Sequence, residues 1–281
     1  MRSFQWIALA VMAISPAALL AADGRFEKSL HVSGTTSLNV NTGSGYIHVI
    51  PGSGSEVHII GHVHANGFGF GASAEDRVQQ VVSNPPIQQN GDSISVGHNM
   101  EVKNVSIDYD ITTPKGTNLE AHSGSGDIHI SQLGGPLKAG TGSGSIDADG
   151  LAGEVSLDTG SGDIRASISE GHDVKAQTGS GSVRLQGVNG GLYARTGSGD
   201  IEVAGHPGSD WKLDTGSGSV KLVVGTSAKF TLDASTGSGD IQSDPPISVH
   251  GNLGKHHITG EVNGGGPTVR VSTGSGDISV H

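Results

Sequence analysis

Apolar residues take every second position on either side of a glycine-rich string: Val155 and Leu157 stand before Thr159-Gly-Ser-Gly162, and Ile164, Ala166 and Ile168 after it. Period two belongs to strands with one face turned inward. The arrangement recurs as Val174, Ala176 then Val183, Leu185; as Leu192, Ala194 then Ile201, Val203; and as Trp211, Leu213 then Val220, Leu222. Strings of the form Thr/Ser-Gly-Ser-Gly begin at Thr42, Ser123, Thr141, Thr159, Thr178, Thr196, Thr215, Thr236 and Thr273. From Ser123 the intervals are 18, 18, 19, 18, 19, 21 and 37 residues. The last interval reads as two periods with a decayed copy at Gly251–Ile258, where Ile258 keeps the apolar position after an altered turn.

A fixed interval of this size marks a stacked repeat. Two strands of about five residues per unit, joined at glycine corners where positive φ is cheap, predict an all-β parallel β-solenoid, or β-helix, of units 18 or 19 residues long with TGSG turns. No unit can bury its inner face alone; stacking does so, at ~1.5 to 3 kcal/mol for each large side chain. The Thr before each turn and the Ser within it are expected to form hydroxyl rows that bond neighbouring backbone. The residue after the turn alternates: Asp127, Ser145, Asp163, Ser182, Asp200, Ser219, Asp240, then Asp277. With one unit per coil, interposed Ser doubles the Asp spacing from ~4.8 to ~10 Å and halves a repulsion of ~1 kcal/mol. One unit per coil is therefore favoured over two.

Upstream of Ser123 the pattern is less regular. Ser37–Ile50 reads as a hairpin-like copy of the repeat, and Glu56–Ala65, Ser93–His98 and Val102–Thr113 alternate as strands. One short helix is expected at 74–82: Ser73 and Asp76 form a capping-box pattern, Val78, Val81 and Val82 give an apolar side, and Pro85-Pro86 ends it. Such an insertion suits the end of a stack, whose first edge would otherwise pair with another chain. The expected organisation is an irregular N-terminal β segment, 23–117, continuous in one elongated domain with the regular solenoid, 118–281.

The first 22 residues read as an export signal. Arg2 precedes an apolar run from Phe4 to Ile14, followed by Ser15-Pro16 and the small-residue stretch Ala17–Ala22 before Asp23. The run is short for a membrane span and Pro16 interrupts it. Cleavage after Ala22 leaves Leu20 at the minus-three position, which allows a shift of a residue or two. No Cys follows, so a lipid anchor is not supported, and the chain has no cysteine at all. Glycine makes up 47 of the 281 residues without a G-X-Y period, which excludes collagen. The formal net charge is −11 with no Lys/Arg run, which argues against nucleic acid as a partner.

The serial TGSGDI string, the helix with Pro85-Pro86, the segment Ile111-Thr-Thr-Pro114 and the ending Gly260-Glu-Val-Asn-Gly-Gly-Gly266 before Thr273–Ile278 resemble the DUF4097-type putative adhesin family of bacterial β-strand-repeat proteins. The likeness runs from about Leu30 to His281 and extends to the head domain of autotransporter adhesins of the same kind. It implies the repeat fold and an adhesive role inferred from that fold; it brings no active site.

Three chemistries compete with a structural reading of the polar rows. Gly-rich turns with Asp suggest a calcium β-roll, but Asp appears once per unit in alternate units, and Gly-Ser-Gly replaces the Gly-Gly step. Parallel β-helices host polysaccharide lyases and hydrolases, yet no Lys/Arg cluster adjoins the Asp residues in sequence and Trp211 is the one Trp beyond the export segment. No Lys follows the glycines as in a phosphate loop. His58, His62 and His64, with His48 on a neighbouring strand, could hold zinc or copper, and His256-His257 is a weaker candidate; no Cys or acidic ligand adjoins them in sequence. The expectation is an exported, non-enzymatic β-solenoid, periplasmic, cell-surface or extracellular, monomeric, with a protein or glycan of the envelope as partner. It carries no catalytic, cofactor or metal residue; the alternatives are a carbohydrate-active β-helix enzyme or a metal-binding β-roll.

Overall fold

The computed structural model describes residues 21–67, 72–98, 102–249, 254 and 256–281. All but the last two residues of the expected export segment, and much of the supposed decayed turn, lie outside these. In every regular unit the strand before the turn joins one sheet, of 13 strands, and the strand after it joins a second sheet, of 12. Val155 pairs in parallel with Val174 and Ile164 with Val183, so equivalent residues one unit apart are direct neighbours and one unit makes one coil. The protein is a parallel β-solenoid. Its inward residues form one hydrophobic cluster between the sheets, and all seventeen apolar positions picked out by alternation in the four units from Val155 to Leu222 are buried.

The Thr of each TGSG string is the third inward residue of its strand, and Thr159, Thr178, Thr196 and Thr215 are all buried. A hydroxyl there needs partners. The Thr159 Oγ1 donates to the Gly144 carbonyl of the preceding coil at 2.8 Å and accepts the Gly162 N–H of its own turn at 3.2 Å. The same pair of bonds recurs at Thr141 and Thr178, and the donor half at Thr196, Thr215 and Thr273. The Ser within the turn behaves otherwise: Ser143, Ser161 and Ser180 stand exposed at the crest of the corner.

The turn glycines answer to stacking more than to positive φ. Neither Gly142 nor Gly144 has positive φ, but a Cβ on Gly142 would overlap the carbonyl oxygen of Gly124, and one on Gly144 that of Gly126. Each corner thus lies directly on the backbone of the corner before it. Gly43, at the equivalent place in the Thr42 string, meets nothing within 4 Å.

Stack order departs from chain order at both ends. The coil 268–280 lies between 211–224 and 230–243: Val269 pairs with both Trp211 and Leu232, and Ile278 with both Val220 and Ile241. Among the described residues the 37-residue interval therefore contains no decayed coil. Instead the strand His257–Val262 turns antiparallel along Phe230–Thr236, with Ile247–Val249 outside it, and caps the sheet. At the other end 37–52 is enclosed in the same way, between 118–131 and a coil built from Ser93–Val96 and Val105–Pro114. Ser37–Thr42 and Ile47–Gly52 sit in different sheets, so this copy is a coil and not a hairpin.

The N-terminal edge of the 12-stranded sheet is closed by Glu56–Ala65, antiparallel to Val105–Pro114, and then by Ala22–His31. A parallel stack exposes unpaired backbone at its ends, and antiparallel strands with a helix cover it. That helix, Ala74–Ser83, carries the expected capping box: the Ser73 side chain accepts the Asp76 N–H at 3.1 Å and the Asp76 carboxylate accepts the Ser73 N–H at 3.4 Å. Its Val78 and Val82 lie so close over Gly24 that a Cβ there would collide with them.

Urea unfolding should separate the two kinds of turn glycine. Gly142→Ala is expected to cost ~1 to 3 kcal/mol because the opposing group is backbone and cannot yield, while Gly43→Ala should be near neutral. Val183→Asp, which puts an unpaired charge between the sheets, should cost several kcal/mol.

Candidate functional site

Three polar constellations sit on the outside of the stack. The first is the corner row, whose spatial order is Asp127, Ser145, Asp163, Ser182, Asp200, Ser219, Asp277, Asp240. Six of the eight side chains, all but Ser182 and Asp240, cap the backbone of the next coil. The Ser145 N–H donates to Asp127 Oδ1 at 2.7 Å, Ser182 to Asp163 at 2.9 Å, and Ser219 to Asp200 at 2.8 Å. Where Ser precedes, its Oγ accepts instead, from Asp163 and from Asp277, both at 3.3 Å. Asp and Ser do the same structural work, and alternation keeps the charges two coils apart until Asp277 and Asp240 meet, where the Asp240 N–H donates to Asp277 Oδ1 at 2.9 Å.

Basic residues flank this row, one of them, Arg165, only two positions after Asp163 in sequence. Arg165 lies 2.8 Å from Asp163 and 3.6 Å from Asp147; Arg184 and Lys221 flank Glu202 at 3.7 and 3.4 Å. These side chains are about half exposed, so each pair contributes at most ~1 kcal/mol.

The second constellation contains the histidines. His58, His62 and His64 lie on the outer face of Glu56–Ala65, alternating with buried Val57, Ile59 and Val63. Four carboxylates from other strands meet them. His58 Nε2 is 2.7 Å from Glu27, His64 is 2.7 Å from Asp23 and 3.3 Å from Asp108, and His62 is 3.2 Å from Asp110. Asp110 also takes His48 at 3.1 Å and the Tyr46 hydroxyl at 3.1 Å, and burial followed by that hydrogen bond pushes the Tyr46 phenol up to about 12. The expectation that no acidic group adjoins these histidines fails in space, because the partners lie 31 to 62 residues away. They act as clips across four strands, Asp110 shared by His48 and His62 and His64 shared by Asp23 and Asp108; among the described residues no group of three or more His, Asp or Glu side chains could hold a metal ion. His257 is remote from them, on the opposite cap, 3.8 Å from Asp233.

The third constellation, on the 13-stranded sheet, was not singled out by sequence. Glu120 Oε1 accepts from Lys138 at 2.7 Å and contacts His122 Nε2 at 3.1 Å, while Oε2 accepts from Asn39 at 3.2 Å. The Lys138 hydrogen bond, then that of His122, holds the Glu120 carboxyl below its usual range. The signal was available: Glu120 and Lys138 are one repeat apart, and opposite charges at equal repeat positions become stacked neighbours.

Fold and surface together define a β-solenoid whose polar side chains are largely spent on coil-to-coil bonds. The chain belongs to the family described as Toastrack DUF4097, whose model matches residues 29–281. Among solved structures it is similar to a "putative cell adhesion protein" from Clostridium sporogenes ATCC 15579, at 15% identity over 92% of this chain and 99% of that one, with a TM-score of 0.29. A "putative adhesin" from Bacteroides fragilis NCTC 9343 is similar at 12% identity over 92% and 97% of the two chains, with a TM-score of 0.26. Likeness at these TM-scores carries no argument about activity. No curated protein matches the chain.

Asp163→Ser should leave stability within ~0.5 kcal/mol, since Ser145 shows that a hydroxyl serves as the cap, whereas Asp163→Ala should cost ~1 kcal/mol by leaving the Ser182 N–H without its acceptor. Glu120 titrates with a depressed folded pKa, so its stabilisation is present above the unfolded carboxylate pKa and is lost as pH falls through the lower, folded value. Glu120→Gln should therefore destabilise by less than ~1 kcal/mol at neutral pH and have no effect at pH ~2, measured by thermal melts.

Proposed function

We propose that the chain is exported and serves as a non-enzymatic adhesive or structural module of the cell envelope, with a surface protein or glycan as its partner. The observation that carries this reading is the use of the repeated Asp row: Asp127, Asp163, Asp200 and Asp277 each commit an oxygen to capping the next coil. A carboxylate row replaced by Ser in alternate coils, with the bond retained at Ser145 and Ser219, is corner chemistry, and it leaves a long regular surface as the product of the repeat. Export is supported by Arg2, the apolar run Phe4–Ile14 and the small residues Ala17–Ala22, followed at once by the strand Ala22–His31. No helix among the described residues is long and apolar enough to cross a membrane.

One observation favours the rival, a carbohydrate-active enzyme: Asp200, Glu202 and Asp277 share a trough with Arg184 and Lys221. Expression of the full chain with mass analysis of the exported product tests the first step, and the mature chain should begin at Asp23 or within two residues of it. Cells displaying it should gain adherence to a surface that cells lacking it do not hold. Turnover of neutral or acidic polysaccharides, lost in Asp200→Asn, would overturn the non-enzymatic reading. Calcium, zinc and chelator should leave the melting temperature unchanged; a bound ion at a hundredfold excess over its Kd would instead add ~2.7 kcal/mol.

A further inference from the structure

Arg184, Glu202, Lys221, Ser279 and Gln242 occupy one register position on five successive strands of the 12-stranded sheet. They form one wall of a trough of about 400 Å³ that runs along the stack axis, and the corner residues Asp200, Ser219 and Asp277 form the other. Five coils give it a length of ~19 Å, and walls two residues apart along a strand give it a width of ~7 Å. Ile201 and Ile278 stand between the walls with their side chains buried in the core, so the floor is backbone.

The side chains of both walls are polar, and four of them keep free hydrogen-bonding groups. Gln242 and Ser279 make no side-chain hydrogen bond among the described residues, and Asp200 and Asp277 each spend Oδ1 on the next coil and leave Oδ2 free. Donors and acceptors thus alternate along the trough at the coil spacing. Three carboxylates face two cations, which disfavours a polyanion. A peptide strand added to this sheet would pair with the edge strand Ile241–Ser243 and run along it, across the trough and not down its length. A linear, uncharged glycan suits this lining: its hydroxyls both donate and accept, and an extended pyranose chain advances by nearly the coil spacing per sugar.

We infer that this trough is a binding groove for a linear neutral glycan, lying along the solenoid axis. The inference deepens the adhesive reading by naming the partner's chemistry and rests on that reading for an extracellular ligand. The probes are the N-acetylglucosamine hexamer, the cellulose hexamer and, as the polyanion, the galacturonate hexamer, each titrated into the purified exported chain with backbone amide NMR as readout. At least one neutral hexamer should shift Ser219, Gln242 and Ser279, more strongly than its trimer. Gln242→Ala and Ser279→Ala, which remove no coil-to-coil bond, should each weaken binding at least ~3-fold, and Ser156→Ala on the other sheet should not. Tighter binding of the galacturonate hexamer, shifts confined to other surfaces, or none at ~10 mM would overturn the groove. Adherence retained by displayed Gln242→Ala/Ser279→Ala cells, with no hexamer in the trough, would defeat the groove while leaving the adhesive reading standing; hexamer binding without adherence would do the reverse.

Discussion

Everything in this fold depends on how closely one Gly-Ser-Gly corner can lie on the next. The corners approach until the carbonyl of Gly124 fills the place a Cβ on Gly142 would need, and the same contact repeats from Gly142 to Gly160 and from Gly160 to Gly179. At that distance the buried Thr hydroxyl can reach the preceding corner and its own turn together. The Asp or Ser that follows can reach the next coil's N–H. Register is thereby fixed twice at each corner, so that Val, Ile and Leu of neighbouring coils meet in file and the two sheets close over a continuous core.

A one-dimensional stack is weakest at its ends, and the chain deals with this by topology as well as by capping. Both the first and the last coil in sequence are enclosed, one between 118–131 and the coil of Ser93–Val96 and Val105–Pro114, the other between 211–224 and 230–243. The outermost coils are held covalently on both sides and carry the antiparallel strands. The histidine–carboxylate clips lie across the N-terminal cap, where they join strands far apart in sequence.

Period, strand alternation, inward residues and the helix with its Ser73 box were legible because each is a local pattern; one unit per coil was favoured by the Asp/Ser alternation, and the pairing of Val155 with Val174 decides it. Coil order was not: Thr273-Gly-Ser-Gly276 specifies a coil's shape and pitch but says nothing of which neighbours it takes, so an interval of 37 residues looked like a lost repeat when it encoded an antiparallel cap and a return. Positive φ is found at the corner glycines Gly239 and Gly276, but the need at Gly142 and Gly144 comes from another coil, which no local pattern shows. The acidic partners of His58 and His62 were invisible because Glu27 and Asp110 arrive from other strands. The Glu120–Lys138 pair, by contrast, could have been found by comparing equal positions one repeat apart.

The corner ladder can be observed directly by native-state hydrogen exchange. Gly144, Gly162 and Gly181 bond through their N–H to a Thr hydroxyl, and Ser145, Ser182 and Ser219 to an Asp carboxylate, beside residues that are fully open to water. If these bonds hold the stack in register, the six amides exchange as slowly as the strand amides of Val155–Thr159 and Ile164–Ile168 and open with them as one unit. Corner amides exchanging at loop rates while those strands stay protected would contradict the account, and would mean that the core alone sets the register.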